Sequence, residues 1–170
     1  MKEENAKNVS VVLPIYNEEG NIASLVEEIA GVLERSALSF EIICVDDGST
    51  DKSLDMLRAL SQKDERVVVV PHRKNFGQSA AMATGFRHAK NEIVVTLDSD
   101  GQNNPSDIPF LLEKLPEYDC VCGIRKKRRD NWVRKIASRV GNGFRNMLTG
   151  DYIEDSGCTQ IGRASCRERV

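Results

Sequence analysis

Short runs of mainly apolar, β-branched residues recur along the chain, and turn-forming residues separate them. Runs of this length and composition are typical of buried β-strands. They predict five short strands, mainly parallel, at residues 9–13, 40–45, 67–70, 93–97 and 120–124.

Between these runs, apolar residues repeat at helical spacing. The first helical set is Ile22, Leu25, Val26, Ile29, Val32 and Leu33, and the second, Leu54, Leu57 and Leu60, follows a capping cluster at residues 49–51. A third helix is predicted at residues 78–88, where small residues allow close approach to a sheet, and a fourth begins near Pro105. The alternation predicts an α/β fold in which helices flank a mainly parallel sheet.

The chain has 170 residues, of which 40% are hydrophobic and 29% are charged, so it suffices for one core but is short for two domains. Its 24 basic and 26 acidic residues nearly cancel, and bulk charge therefore predicts no nucleic-acid partner. No stretch approaches the roughly 18 apolar residues that cross a bilayer, and residues 1–8 are too polar for a signal peptide. A single domain, cytosolic or peripheral to a membrane, is expected.

Neither the cysteines nor the histidines show the spacing of a metal site. The five cysteines are odd in number, and Cys120 and Cys122 match neither a zinc ribbon nor a CxxC redox motif. We expect reduced, partly buried thiols. His72 and His88 are predicted to be packing, capping or surface residues.

Polar segments follow three of the predicted strands. Residues 14–18 read Pro-Ile-Tyr-Asn-Glu, residues 46–51 read Asp-Asp-Gly-Ser-Thr-Asp, and residues 98–102 read Asp-Ser-Asp-Gly-Gln. Taken alone, the first could be a turn with a helix-starting acid, and the second a turn with a helix cap. Because parallel strands bring their carboxyl ends to one edge of a sheet, we expect the three segments to meet there. Two carboxylates one residue apart at that edge suit a divalent cation held against phosphate.

In their order, these segments and residues 75–78 (Asn-Phe-Gly-Gln) resemble the motifs of glycosyltransferase family 2. Within that family the likeness is greatest to the polyprenyl-phosphate (dolichol-phosphate-like) sugar transferases. It covers roughly residues 9–159, and the combined motifs are highly specific. The resemblance implies the GT-A fold, a Rossmann-like and mainly parallel sheet flanked by helices, and transfer of a sugar from a nucleotide-diphospho-sugar.

The resemblance also implies roles for residues on the donor side. The nucleotide-sugar-binding residues would be Pro14, Tyr16, Glu18, Asp46, Asp47, Gly77 and Asp98. Asp46 would accept a hydrogen bond from the base or the ribose. Asp98, Asp100 and Gln102 would hold Mg²⁺ or Mn²⁺, and this cation would also bind the donor's diphosphate. Both UDP and GDP sugars stay open as donors.

A strand followed by Asp-x-Asp-Gly also opens the active site of haloacid-dehalogenase-type phosphatases, in which the first Asp is a nucleophile. The chain departs from that pattern in two respects. Gln102 stands where those enzymes prefer Thr or Val, and the element follows the fourth predicted strand, whereas theirs is usually near the N-terminus. The phosphatase is therefore the weaker alternative.

A basic stretch follows the fifth predicted strand, because residues 125–129 are all Arg or Lys and three more basic residues follow by residue 139. Such a stretch could be a solvated surface or a nucleic-acid patch. In the resembling family, corresponding arginines meet donor diphosphate or acceptor phosphate, which implies catalytic roles for Arg125 and Arg134. The other charges, with an amphipathic helix predicted within residues 131–149, would attract an anionic membrane surface, although that helix could equally pack on the sheet. The expected location is the cytoplasmic face of the membrane.

Asp100 and Asp155 complete the implied catalytic set, and Asp155 would orient the acceptor or donor sugar or serve as a base. The predicted reaction is a metal-dependent, inverting transfer to a polyprenyl (undecaprenyl or dolichyl) phosphate. A phosphate acceptor is already ionised at neutral pH, whereas a carbohydrate hydroxyl, the alternative acceptor, would make a base such as Asp155 essential. A third alternative is an inactive fragment that binds nucleotide without turnover.

Residues 161–170 resemble the in-frame translation of a common sequencing adapter. They follow a motif that in the family continues into further strand and helix. We therefore expect a partial domain at residues 1–160, incomplete at its C-terminus, and an artefactual tail at residues 161–170. Many relatives carry membrane helices in the missing part, so a membrane-spanning segment is not excluded for the natural protein.

Overall fold

The computed structural model describes residues 8–101, 103–123 and 159–163. Its strands are β1 (Asn8–Ile15), β2 (Ser39–Asp46), β3 (Val67–Pro71), β4 (Ile93–Thr96), β5 (Cys120–Cys122) and β6 (Gln160–Arg163). They form one six-stranded sheet with the order β3-β2-β1-β4-β6-β5. The first strand in the sequence therefore lies near the middle of the sheet.

The sheet is parallel except for one strand. β1 pairs in parallel with β2 and β4, and β2 pairs in parallel with β3. β6 is antiparallel to both of its neighbours, β4 and β5, so β5 runs in the same direction as β4. The five predicted strands and the mainly parallel α/β fold are confirmed.

The helices are α1 (Ile22–Arg35), α2 (Ser53–Lys63), α3 (Gln78–His88) and α4 (Ile108–Lys114), and a one-turn 3₁₀ helix at Pro105–Asp107 leads into α4. All four confirm the prediction. The cap of α2 differs in detail, because the residue before the helix is Lys52, and Asp51 accepts a hydrogen bond from the Ser53 N–H at 3.0 Å. None of the helices in the described part of the chain is long and apolar enough to cross a membrane.

Apolar side chains are buried on both faces of the sheet. The larger cluster includes residues of α1, α2 and α4, and the smaller one joins α3 to the other face. Val12 of β1 belongs to the smaller cluster, and Gly85 of α3 lies directly over it. A Cβ atom at Gly85 would come within 2.2 Å of Val12 Cγ1, so α3 reaches its position only with glycine there.

β6 is absent from the predicted strands because three of its four residues, 161–163, fall in the expected artefactual tail. It is also short and contains a single β-branched residue, Ile161. Ile161 is fully buried between the neighbouring strands. β6 crosses the predicted boundary between residues 160 and 161. The foreign origin of residues 161–170 stays a prediction.

Three cysteines lie in the described ranges, and none of them is in a disulfide. Cys44 is fully buried in β2, and burial raises the pKa of its thiol to about 12. Cys120 and Cys122 are exposed on β5, so the expected partial burial holds for neither of them.

Candidate active site

The ends of β2, β1 and β4 are adjacent, because β1 lies between the other two strands. The three polar segments that follow these strands therefore meet at one edge of the sheet, as predicted. The hydroxyl of Ser99 joins two of them by donating to the carbonyl oxygen of Pro14 at 2.9 Å. At this edge an open cleft of about 340 Å³ is lined by Pro14, Ile15, Tyr16, Glu18, Asp47, Asn75, Gln78, Ala81, Asp98, Ser99 and Asp100.

Six of the predicted site residues line this cleft, and they are Pro14, Tyr16, Glu18, Asp47, Asp98 and Asp100. Asp46 and Gly77 are not among its lining residues. The other predicted site residues, Gln102, Arg125, Arg134 and Asp155, lie outside the described residues.

The turn after β1 is joined to the turn after β2 by reciprocal hydrogen bonds. The Asn17 N–H donates to Ser49 Oγ at 3.0 Å, and Asn17 Oδ1 accepts from the Thr50 N–H at 2.8 Å. The Glu19 N–H donates to Asp51 Oδ2 at 3.1 Å. Asn17 has a φ of 57°, in the left-handed region that Asn tolerates better than most residues. These motif residues therefore hold two walls of the cleft together.

Asp46, the last residue of β2, is almost fully buried, with 1% of its surface exposed. Its Oδ2 accepts a hydrogen bond from the Ser49 N–H at 3.3 Å. Its Oδ1 has no hydrogen-bond partner among the described residues. A buried carboxylate oxygen without a partner is costly, so it is suited to accept a hydrogen bond from a ligand or a water molecule.

Asp47 is also buried, but its carboxylate is fully engaged by the protein. Oδ1 accepts from the Phe76 N–H at 2.9 Å and lies 2.7 Å from Nδ1 of His72, and Oδ2 accepts from the Gly77 N–H at 2.8 Å. Burial alone would raise the pKa of Asp47, but these hydrogen bonds outweigh it and hold the pKa below its ordinary value. Asp47 therefore fixes the turn that enters α3.

His72 lies beside this site and was not among the predicted site residues, and neither were Asn75, Gln78 and Ser99, which line the cleft. His72 follows the last residue of β3, and its second ring nitrogen, Nε2, lies 3.0 Å from Oγ1 of Thr84 in α3. The pattern of the chain contains no signal for these contacts, because Asp47, His72 and Thr84 come from separate elements. The predicted packing or capping role is too narrow for a side chain that joins two of them.

Asp98 and Asp100 follow β4 and face the cleft. Gln78, the first residue of α3, donates from Nε2 to Asp98 Oδ1 at 2.7 Å. Ser99 between the two acids is buried, and its bond to Pro14 anchors the segment to the end of β1. The segment is thus held from two sides.

The donor set at this segment fits a small divalent cation. No group of three or more acidic, histidine or cysteine side chains suited to a metal occurs within residues 8–101, 103–123 and 159–163. Two carboxylates are nevertheless enough for Mg²⁺ or Mn²⁺ when phosphate oxygens and water supply the other ligands. Asp98 and Asp100 provide such a pair at the open edge of the sheet.

The model of the family described as "Glycosyl transferase family 2" matches residues 10–167, and the chain therefore belongs to glycosyltransferase family 2. This confirms the resemblance and the GT-A fold, and it decides against the phosphatase alternative.

Among curated relatives, the chain is similar to two undecaprenyl-phosphate 4-deoxy-4-formamido-L-arabinose transferases. It is 42% identical over 152 residues to the protein from Edwardsiella ictaluri, a match that covers 88% of the chain and 47% of the relative. It is 39% identical over 160 residues to the protein from Aeromonas hydrophila, which covers 93% of the chain and 49% of the relative. The chain thus spans about half the length of these relatives.

Solved structures share the fold. Glucosyl-3-phosphoglycerate synthase from Mycobacterium tuberculosis, in complex with Mn²⁺, UDP and phosphoglyceric acid, has a TM-score of 0.69 and 25% identity, and the match covers 94% of the chain and 56% of that structure. A mannosyltransferase from Pyrobaculum calidifontis, in complex with GDP-Man and Mn²⁺, has a TM-score of 0.62 and 24% identity, with 95% and 46% covered.

Proposed function

We propose that this protein is a metal-dependent glycosyltransferase that takes a sugar from a nucleotide-diphospho-sugar bound in the cleft. The observation that carries the proposal is the meeting of Asp98 and Asp100 with the two joined turns after β1 and β2. A cation-binding pair thereby lies beside a pocket of a size that suits a nucleoside. Structural neighbours that bind UDP or GDP-Man with Mn²⁺ support this assignment.

On the donor side, the nucleoside would lie against Pro14, Tyr16 and Glu18. Asp46 would accept a hydrogen bond from the base or ribose through the oxygen that has no partner among the residues that the structure describes. Asp47 and Gly77 would shape this side of the cleft, because the Gly77 N–H already donates to Asp47.

Asp98 and Asp100, with Gln102, would hold Mg²⁺ or Mn²⁺. The bound cation would supply positive charge that stabilises the departing nucleoside diphosphate. Gln78 would keep Asp98 in place through its 2.7 Å hydrogen bond. Ser99, the next residue, would hold the same segment through its hydrogen bond to the carbonyl oxygen of Pro14. Asp100 belongs to the catalytic set on this account.

For the acceptor, we propose the phosphate of a polyprenyl phosphate, which the names of both curated relatives support. A phosphate oxygen would form a bond to the anomeric carbon while the bond to the donor's diphosphate breaks, with inversion. That oxygen is ionised at neutral pH, so no proton has to be removed. Arg125 and Arg134 would hold phosphate groups, and Asp155 would orient a substrate, at the cytoplasmic face of a membrane.

A second candidate is transfer to the hydroxyl of a small acceptor, which the neighbour in complex with phosphoglyceric acid favours. The Asp155→Asn substitution separates the two, measured as kcat in the full-length natural protein. A hydroxyl acceptor needs a base, so its loss should lower kcat by about a hundredfold or more. With a phosphate acceptor we expect much of the turnover to persist, and a loss as large as that would contradict this acceptor.

The donor site is tested by thermal unfolding of the 170-residue chain with UDP or GDP, each with and without Mn²⁺. We expect one nucleotide to raise Tm only when Mn²⁺ is present, because a ligand that binds the folded state alone stabilises it by about 2.7 kcal/mol at a hundredfold excess over Kd. The Asp100→Asn variant should lose this response. The Asp107→Asn variant changes an exposed carboxylate outside the cleft and should keep it.

A cooperatively melting protein that responds to neither nucleotide would overturn the proposal. If the chain binds nucleotide but the full-length protein never turns over, the inactive nucleotide-binding alternative takes its place. An unchanged response in Asp100→Asn would contradict the metal assignment alone.

A further inference from the structure

His72 belongs to none of the motifs that point to the donor site, yet its ring connects two elements beside the cleft. Nδ1 lies 2.7 Å from Asp47 Oδ1 after β2, and Nε2 lies 3.0 Å from Thr84 Oγ1 in α3. Its backbone N–H donates to the carbonyl oxygen of Asp46 at 2.8 Å. The ring is mostly buried, with 13% of the side chain exposed. A histidine in this position is held too well on both sides to be an ordinary surface residue.

The hydrogen-bond partners identify which nitrogen of the His72 ring carries the proton. Asp47 is an acceptor, so Nδ1 of His72 must be the donor. In the neutral ring, Nε2 then accepts from the hydroxyl of Thr84. Thr84 is suited to donate there, because its Oγ1 already accepts from Nη2 of Arg87 at 3.2 Å. If the ring takes a second proton, Nε2 donates to Thr84 instead, and both contacts persist.

Asp47, which His72 contacts, anchors the turn at residues 73–77. It accepts from the N–H groups of Phe76 and Gly77, as described above. The same turn lies against Gly48, where a Cβ atom would come within 2.4 Å of the Lys74 carbonyl carbon. The turn is thus fixed by hydrogen bonds to Asp47 and by close packing against Gly48.

The turn at residues 73–77 also positions part of the cleft wall. Asn75 within it and Gln78 directly after it both line the cleft. Gln78 reaches Asp98 Oδ1 at 2.7 Å. Hydrogen bonds therefore lead from Thr84 through His72 and Asp47 to the turn, and Gln78, the next residue along the chain, bonds to Asp98.

We propose that His72 is a positioning residue for the donor cleft. By bonding to both Asp47 and Thr84, it holds the Asp47 carboxylate where that group anchors the turn at residues 73–77, and so keeps Asn75 and Gln78 facing the donor. The inference rests on the proposed function, because it assumes that the cleft binds a nucleotide with a divalent cation.

Three substitutions test the role of each ring nitrogen in the full 170-residue chain. His72→Asn places an amide N–H where Nδ1 lies and keeps a donor for Asp47. His72→Gln places its amide near the position of Nε2, so it reaches Thr84 but not Asp47. His72→Leu removes both contacts. The first readout is Kd for the nucleotide that stabilises the wild type, UDP or GDP, measured by calorimetry with Mn²⁺ present.

Loss of a hydrogen bond to a carboxylate should weaken nucleotide binding by about tenfold or more in His72→Leu and His72→Gln. His72→Asn should stay within about threefold of the wild type, because it keeps that bond. The second readout is hydrogen exchange at the amides of Phe76 and Gly77. It should be faster in the Leu and Gln variants and close to the wild type in the Asn variant.

His88→Gln is the matched control. His88 is exposed late in α3 and contacts the backbone carbonyl oxygen of Thr84 at 2.9 Å, not the Oγ1 atom that lies against His72, so its substitution should leave Kd unchanged. Equal binding by wild type and His72→Leu would overturn the inference while leaving the proposed function intact. Equal loss in the Asn and Gln variants would overturn it too, because packing of the ring would then be what matters. If His72→Leu fails to fold, the Asn and Gln pair decides. No binding by the wild type would overturn both proposals.

Discussion

At the scale of the residue, close packing of the turns behind the cleft shapes it as much as the acids that face it. Gly48, in the turn after β2, has a φ of 71°, in the left-handed region. It also lies against the backbone of the turn after β3, and a Cβ atom there would come within 2.7 Å of the Asn75 nitrogen. Both the conformation and the close approach require glycine.

The Gly48→Ala substitution should lower the free energy of unfolding by about 2 kcal/mol or more, because it adds backbone strain and a clash with a second turn. Urea denaturation measures this loss. The control is Gly20→Ala, since Gly20 has no atom within 4 Å of the added methyl. Equal destabilisation of the two variants would show that the close packing of the turns contributes nothing.

At this scale, the sequence predicted where the acids lie but not what they touch. Asp98 and Asp100 could be located because a strand end fixes the edge of the sheet on which its following residues lie. The roles of Asp47 and His72 depend on partners that lie 12 to 30 positions away in the chain. Spacing along the chain carries no record of such contacts, since they arise only when β2, β3 and α3 have packed.

At the scale of elements, the prediction succeeded where periodicity or composition was strong. α3 begins and ends at the predicted residues, and the small residues that suggested close packing include Gly85 over Val12. β6 was not predicted, because three of its four residues had been assigned to the expected tail and because so short a strand can be recognised only through its neighbours. Its pairing with β4 supplies that context in the structure and has no counterpart in the local pattern.

The joined turns after β1 and β2 are the element that most directly shapes the donor pocket. Asn17→Gly removes the side-chain acceptor but tolerates the φ of 57° at this position. It should lower the free energy of unfolding by about 1 kcal/mol through loss of the bond to the Thr50 N–H. Asn17→Ala should cost more, because it loses the same bond and adds backbone strain.

Chemical denaturation of both variants, with nucleotide binding as a second measurement, checks this order. Weaker nucleotide binding in both variants is expected, because the turn carrying Tyr16 and Glu18 loses its attachment. A stability order in which Ala exceeds Gly would contradict the assignment of Asn17 to a strained, bonded conformation.

For the whole molecule, acid sensitivity follows from carboxyl groups whose pKa lies below the ordinary value. Besides Asp47, Asp64 has a lowered pKa because of its hydrogen bonds with Arg66. A carboxyl group with a lowered folded-state pKa stabilises the fold above its unfolded value, near 3.8. That stability is lost as the pH falls from there through the folded-state pKa.

Asp47→Asn should therefore lower the free energy of unfolding by about 2 kcal/mol at pH 7, because the donors around it lose an ionised acceptor. The difference from the wild type should shrink as the pH falls below about 3.8, because the carboxyl of the unfolded wild type then takes up a proton, and it should vanish once the pH has passed below the lowered folded-state pKa. Denaturant titrations at a series of pH values measure both effects. Asp55→Asn, at an exposed ion pair, is the control and should change stability little. A pH-independent difference would contradict an ionised Asp47.

One hydrogen bond near the β5 edge of the sheet bears on how the sequence of this protein can change in evolution. The Gly123 N–H donates to the carbonyl oxygen of Thr159 at 2.9 Å, just beyond the paired ends of β5 and β6. Residues 123 and 159, which stand 36 positions apart in the sequence, thus meet at the ends of two paired strands. Because both groups of this bond belong to the backbone, the bond depends on no particular side chain and survives exchange of either residue.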